Sequence, residues 1–179
     1  MQFICPMCKG TGLARDGKSI ICSLCDGDKV INMQPAPVEI LVRYHNDDLE
    51  RLEKIDKGDW IDLRAAEDVI LEKGQRCLIP LGVSMQLPEN FEAHVVPRSS
   101  TFKNFALIQT NSTGIIDESY CGNDDQWMMP VYAFADGRIE KNDRICQFRI
   151  VQKMPAVNFI ETSYLDNKNR QGLGSTGIK

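Results

Sequence analysis

The sequence predicts an all-β domain, a barrel or sandwich of short strands, on three observations. From Arg76 the chain alternates with period two: Cys77, Ile79, Leu81, Val83, Met85 and Leu87 share one face, with small or polar residues between them. Successive strand side chains point to opposite faces, so this pattern fits a strand half-buried against a core. Turn-forming clusters, Pro88-Glu89-Asn90 and Ala135-Asp136-Gly137-Arg138, punctuate the apolar runs. Long amphipathic helices are missing. The best helical spacing, Leu49, Leu52 and Ile55 within Asp47–Lys57, is short and highly charged and predicts a turn or two at most.

In chain order, residues 1–34 carry paired cysteines and glycines, with too few large apolar residues for a core. The character changes at Met33-Gln34-Pro35-Ala36-Pro37, whose Pro-x-Pro reads as a short extended linker. Val38–Tyr44 is the first strand beyond it, followed by the turns of Asp47–Lys57. The alternating segment Cys77–Leu87 reads as one strand with bends at its prolines and glycine. Ala93–Val96, Phe105–Asn111, Trp127–Ala135 and Ile145–Gln152 are further strands, and a buried strand is expected to end in the Gly-x-x-Asp-x-x-Tyr-x-Gly of residues 114–122. From Asn167 the chain is polar and glycine-rich, which predicts a flexible arm. The chain thus divides into a module of residues 1–34, a β domain of residues 35–166 and an arm of residues 167–179.

A length of 179 residues suits one main domain with a small appendage. No apolar run approaches the ~20 residues that span a bilayer. The start, Met-Gln-Phe-Ile-Cys, lacks the pattern of a signal peptide, so a cytoplasmic protein is expected. A net charge of -4 gives no general attraction to nucleic acid or to anionic membrane. Any polyphosphate must therefore be held by local cations and a metal. His45 and His94 are the only histidines and read as surface or core residues, too few for a His-based hydrolase.

Seven cysteines, an odd number without a secretion signal, argue against a disulfide framework. Cys5, Cys8, Cys22 and Cys25 form two Cys-x-x-Cys pairs thirteen residues apart, a spacing suited to one structural tetrahedral Zn²⁺. A segment this short needs such a metal in order to fold. The pairs are similar to the Cys-x-x-Cys-x-Gly-x-Gly repeats of J-domain co-chaperone zinc modules, although Asp28 replaces the last glycine of the second. Mixed charge leaves the module no basic face for phosphates, so a protein partner or a structural cap is the expected role.

The motif richest in chemistry is Gly114-Ile115-Ile116-Asp117-Glu118-Ser119-Tyr120-Cys121-Gly122. It aims an acid and a ring at one small pocket, a general base beside a wall for a planar ligand. Around it stand Asp62-Leu63-Arg64-Ala65-Ala66, Val96-Pro97-Arg98-Ser99-Ser100, Asp143-Arg144-Ile145-Cys146-Gln147 and Gly172-Leu173-Gly174-Ser175-Thr176-Gly177. This ordered set of five motifs resembles the trimeric dUTPases over roughly residues 59–177.

The resemblance implies a distorted jelly roll and a homotrimer with active sites at subunit interfaces. The implied activity is Mg²⁺-dependent hydrolysis of dUTP to dUMP and pyrophosphate. Asp117 matches the acid that orients water, and Arg98 the residue that helps orient that acid. Tyr120 matches the ring beneath deoxyribose that leaves no room for a 2′-hydroxyl. Asn111 matches the uracil-contacting amide, and the backbone from Gly114 through Ile116 to Tyr120 would complete base recognition. Ser99, Ser100, Gln147, Ser175 and Thr176 match phosphate contacts, with Arg170 in a register slightly different from the usual Arg-Gly spacing, and Asp62 matches an acid near magnesium-bound water. Asp143 reads as a turn carboxylate.

Two departures from the family pattern stand out. Ser119 replaces a more usual second Asp, and Leu173 replaces the aromatic lid of the arm, leaving Trp127 and Met128 as the nearest candidate caps, with ordinary core residues as the equal alternative. Two other readings compete. One is a nucleotide-responsive regulatory binding protein acting through the zinc module. The other is a dCTP deaminase, which needs a base at C4 of the ring, where only Glu118 stands beside Asp117.

Overall fold

The computed structural model describes residues 2–5, 8–9, 22, 28, 30–32 and 37–169. Near the start, β1 (Gln2–Ile4) and β2 (Val30–Asn32) pair antiparallel, Phe3 opposite Ile31. The linker over residues 33–36, and with it the proposed boundary, lies outside the described residues. The main domain follows with β3 (Leu41–Tyr44), β4 (Ile61–Arg64), β5 (Val69–Leu71), β6 (Arg76–Pro80), β7 (Val83–Gln86) and β8 (Phe91–Pro97). Then come α1 (Thr101–Phe105), β9 (Leu107–Gln109), β10 (Gly114–Asp117), β11 (Met128–Ala133), β12 (Gly137–Ile139) and β13 (Arg144–Gln152). Among the described residues α1 is the only helix, and the domain is all-β.

The strands join antiparallel into sheets of order β10-β8-β13-β4 and β6-β11-β9, with the pairs β3-β7 and β12-β5 alongside. Their inward faces meet in one core that includes Leu63, Ile79, Met85, Leu107, Trp127 and Phe148. Trp127 packs edge-on against Phe148, ring centroids 5.3 Å apart, a favoured aromatic geometry.

The alternating segment is two strands, although its inward face from Ile79 to Leu87 is buried throughout. Gly82 breaks it with a φ of 69°. There a Cβ would sit 2.6 Å from Leu49 Cδ2 and 3.0 Å from the Ala66 Cβ, so both conformation and space select glycine. Before the kink β6 pairs with β11, and after it β7 pairs with β3. The chain changes sheets at this glycine, one way a packed β structure turns a corner.

One other segment differs from its predicted form. Phe105–Asn111 is strand only over Leu107–Gln109, because Phe105 closes α1 and Ala106 takes a left-handed φ of 51° as its cap. The buried Thr101 hydroxyl donates to the Ile145 carbonyl at 2.8 Å, tying this short helix to β13. Asp47–Lys57 forms no helix. Leu49 is buried, Leu52 packs on the core, and the Leu52 amide donates to the Tyr44 hydroxyl at 2.8 Å. The segment opens on one turn, closed by the Leu49 amide donating to the Asn46 carbonyl at 3.3 Å, and tertiary contacts fix the rest of it.

Candidate active site

β10 is an edge strand, not a buried one. Among the described residues it pairs only with β8, Gly114 opposite Val95 and Asp117 opposite Glu92. Ile116 therefore turns to the core while Ile115 faces outward, and Asp117 ends the strand exposed. A turn follows, closed by the Tyr120 amide donating to the Asp117 carbonyl at 3.2 Å. Ser119 folds back on the acid, its amide donating to Asp117 Oδ1 at 2.8 Å and its hydroxyl to the same oxygen. The Ser119 hydroxyl bond first, then its amide and the charge of Lys153, hold the Asp117 carboxyl below the usual carboxylate range.

Asp117, Tyr120, Asn111 and the backbone of Gly114–Ile116 line one cavity of about 370 Å³, within the size range of small-molecule sites. Tyr120, 42% exposed, walls it and donates its hydroxyl to the Gln126 carbonyl at 3.3 Å. Trp127 also borders the cavity, but at 1% exposure it belongs to the core and is not a cap. Met128 stands half-exposed beside it. Gln109 and Gln126 line the same cavity and were not singled out from sequence. A signal existed for Gln109, a polar residue on the inward, period-two face it shares with Leu107.

A second group gathers where β8, β13 and β4 lie side by side. Asp62 Oδ1 accepts from Arg98 Nε at 2.7 Å and Oδ2 from Arg144 Nη1 at 3.1 Å. Gln147 lies in register with Val96 on one side and Asp62 on the other. Ser99 is exposed beside them, and Ser100 begins α1 without a side-chain capping bond. Two guanidiniums on one carboxylate leave this corner net positive. Asp143 is a turn residue, its Oδ2 accepting from the Glu140 amide at 2.9 Å.

These two groups do not meet within one chain. Asp117 lies opposite Glu92, and Arg98 is six residues further along the strand, about 20 Å at the usual rise. Arg98 accordingly contacts Asp62 and not Asp117. Of the histidines, His94 bonds Glu92 and His45 bonds Ser84, each at 2.7 Å.

At the N-terminus Cys5, Cys8 and Cys22 are buried with their sulfurs all within 4.8 Å of one another. Cys5 and Cys22 sulfurs stand 3.8 Å apart, and two ligands of a tetrahedral zinc with bonds of about 2.3 Å stand at about that separation. Cys25, Arg170, Leu173, Ser175 and Thr176 lie outside the described residues.

Comparison with known proteins gives a consistent picture. The dUTPase family profile matches residues 60–177. The chain is 58% identical over 142 residues to the SPbeta prophage-derived deoxyuridine 5′-triphosphate nucleotidohydrolase YosS of Bacillus subtilis strain 168, covering 79% of this chain and all of that protein. It is 34% identical over 148 residues to the deoxyuridine 5′-triphosphate nucleotidohydrolase of Streptomyces avermitilis, covering 81% and 84% of the two chains. Among solved structures, a mutant dUTPase of Staphylococcus bacteriophage 80alpha with dUpNHpp superposes with a TM-score of 0.65 at 21% identity, over 78% of this chain and 99% of that one. A mutant dUTPase of phage phi11, described with a structural Mg(II) ion, gives 0.61 at 19% identity, over 70% and 98%.

Proposed function

This chain belongs to the dUTPase family, and on that premise we propose how its own residues carry out the family reaction. The chain is a dUTP diphosphatase, cleaving dUTP to dUMP and pyrophosphate. The observation that carries the assignment to this site is the cavity beside Asp117, walled by Tyr120 and lined by Asn111 and the β10 backbone. Uracil and deoxyribose occupy it. Tyr120 packs against the sugar, and the Asn111 amide meets the base edge. The α-phosphate then lies by the Asp117 carboxylate, which positions the attacking water and accepts its proton. A carboxylate held below its ordinary range is a weak base, so fixed geometry supplies much of its effect.

The pyrophosphate portion needs the positive corner of Arg98, Arg144, Ser99, Ser100 and Gln147. Because Arg98 lies about 20 Å from Asp117 within one chain, we place the protein in a homotrimer whose sites form between subunits. Arg98 of one subunit then approaches Asp117 of another, the arrangement expected from the family pattern. By the family pattern, Arg170, Ser175 and Thr176 add phosphate contacts. Bound Mg²⁺ supplies charge neutralisation at the phosphate oxygens. Asp62 fits a contact to it through water, since both its oxygens already accept from guanidiniums and keep a second lone pair each.

Incubation of the purified protein with dUTP and Mg²⁺, with products resolved by phosphorus NMR, tests this reading. Stoichiometric dUMP and pyrophosphate are expected, while dUDP with orthophosphate, or no turnover, overturns it. The pH profile tests Asp117 separately. A lowered pKa keeps the carboxylate ionised further into acid, so kcat/KM should hold until the pH falls below the ordinary carboxylate range. Ser119→Ala removes the largest cause of that lowering, so its acid limb should move to higher pH. Superimposable limbs would remove Ser119 from this role.

At the N-terminus we assign one structural Zn²⁺ to Cys5, Cys8, Cys22 and Cys25, in a module of residues 1–34 that serves as a cap or a partner contact. The reading is supported by three converging thiols, two of them 3.8 Å apart, and by the second Cys-x-x-Cys pair. One zinc per chain is expected by metal analysis, and chelation should unfold the module while the β domain melts unchanged. A chain purified with no zinc would end the assignment.

A further inference from the structure

Of the two glutamines that line the pocket without a task in the mechanism above, Gln109 is the buried one. Gln109 is 7% exposed and donates from Nε2 to two acceptors, the Val95 carbonyl at 3.0 Å and Asn111 Oδ1 at 2.8 Å. Its own Oε1 is buried and accepts no hydrogen bond from the described residues. The opposite amide orientation would set Oε1 against two oxygens, so the main-chain carbonyl of Val95 decides which end of Gln109 points where. Gln109 in turn decides for Asn111. The Asn111 oxygen is engaged by the Gln109 N–H, and its Nδ2 is the end left for a ligand. That nitrogen lies 3.5 Å from where a Cβ on Gly114 would stand. It donates to no other group among the described residues.

We propose that Gln109 is a positioning residue that sets base selectivity, by fixing Asn111 so that it presents a hydrogen-bond donor to the base. The proposal rests on the reading of this cavity as the uracil site. A ring with a carbonyl oxygen at the contacted position accepts that donor. A ring with an amino group there brings two donors face to face. The relay from Val95 through Gln109 to Asn111 thus favours uracil over cytosine, which carries an amine in place of the C4 carbonyl as well as a bare ring nitrogen in place of the N3–H. Were the Asn111 amide free to turn over, it would serve either base.

Gln109→Met, close in volume, removes the donor and leaves Asn111 in place. The expected result is a higher KM for dUTP, a smaller change in kcat, and a dUTP-over-dCTP ratio of kcat/KM lower by about tenfold or more. In an Asn111→Ala background the same replacement should leave the ratio unmoved, because the two residues act as one unit. An unchanged ratio in a Gln109→Met protein that melts like the parent overturns the proposal. Should that variant fail to fold, the unsubstituted protein supplies the answer. Its Asn111 side-chain amide signal, identified by its loss in Asn111→Ala, should shift on adding dUMP and not on adding dCMP; equal shifts, or none, overturn it. A parent that turns over no dUTP sinks the reading of the cavity, whereas an active parent with an unmoved ratio in the variant sinks only the role of Gln109.

Discussion

Asp117→Asn is expected to lower kcat for dUTP by ~10²-fold or more while leaving nucleotide affinity near that of the parent. The replacement keeps the size and planarity of the side chain and its place at the end of β10. The Ser119 amide can still donate to the remaining carboxamide oxygen, so the turn survives. What is lost is the negative charge that holds water and takes its proton. Steady-state kinetics with dUTP, paired with calorimetric titration of the non-hydrolysed analogue dUpNHpp, separates the two effects. Turnover within threefold of the parent would remove Asp117 from the chemistry, whatever its position in the cavity.

Trp127→Ala is expected to damage the fold rather than the specificity. The ring is 1% exposed and packs edge-on with Phe148, and deleting a buried aromatic of this size costs about 3–5 kcal/mol. Against a typical total of about 5–15 kcal/mol that is a large share, and the melting temperature should fall on the order of 10 °C. Trp127→Phe makes the informative contrast. Trp127 Nε1 is buried and makes no hydrogen bond among the described residues, so the shorter ring gives up none of these polar contacts and should retain most of the stability. If Trp127→Ala instead melts like the parent and raises KM alone, the residue caps the base and the core assignment fails.

The legible parts of this molecule are those fixed by local chemistry. Alternation announced the inward face of Ile79, Leu81, Val83 and Met85, because a half-buried strand writes its orientation into every second residue. The kink at Gly82 stayed hidden, since the alternation continues through it and only the contacts of Leu49 and Ala66 show why glycine is required. α1 was unreadable for a related reason: five residues carry no helical period, and the bond from Thr101 to Ile145 spans the fold. In the site, the spacing of Asp117 and Tyr120 was visible because one turn sets it. The pairing of Asp62 with Arg98 was not, because it depends on β13 running between β4 and β8. Ser119 looked like a missing acid in sequence, whereas in the structure it is the hydroxyl that holds Asp117.

The register of β10 on β8 carries a genetic consequence. If Asp117 and Arg98 serve the same reaction from different chains, then a chain damaged at one position can be rescued by a chain damaged at the other. Asp117→Asn and Arg98→Ala proteins, each nearly inactive alone, should regain activity when unfolded together and refolded as a mixture. With random assembly of equal amounts, about one site in four draws an intact Asp117 and an intact Arg98 from its two contributors. Two crippled alleles would then complement each other in a single cell, while a tandem gene fusion carrying both lesions in every copy would stay silent.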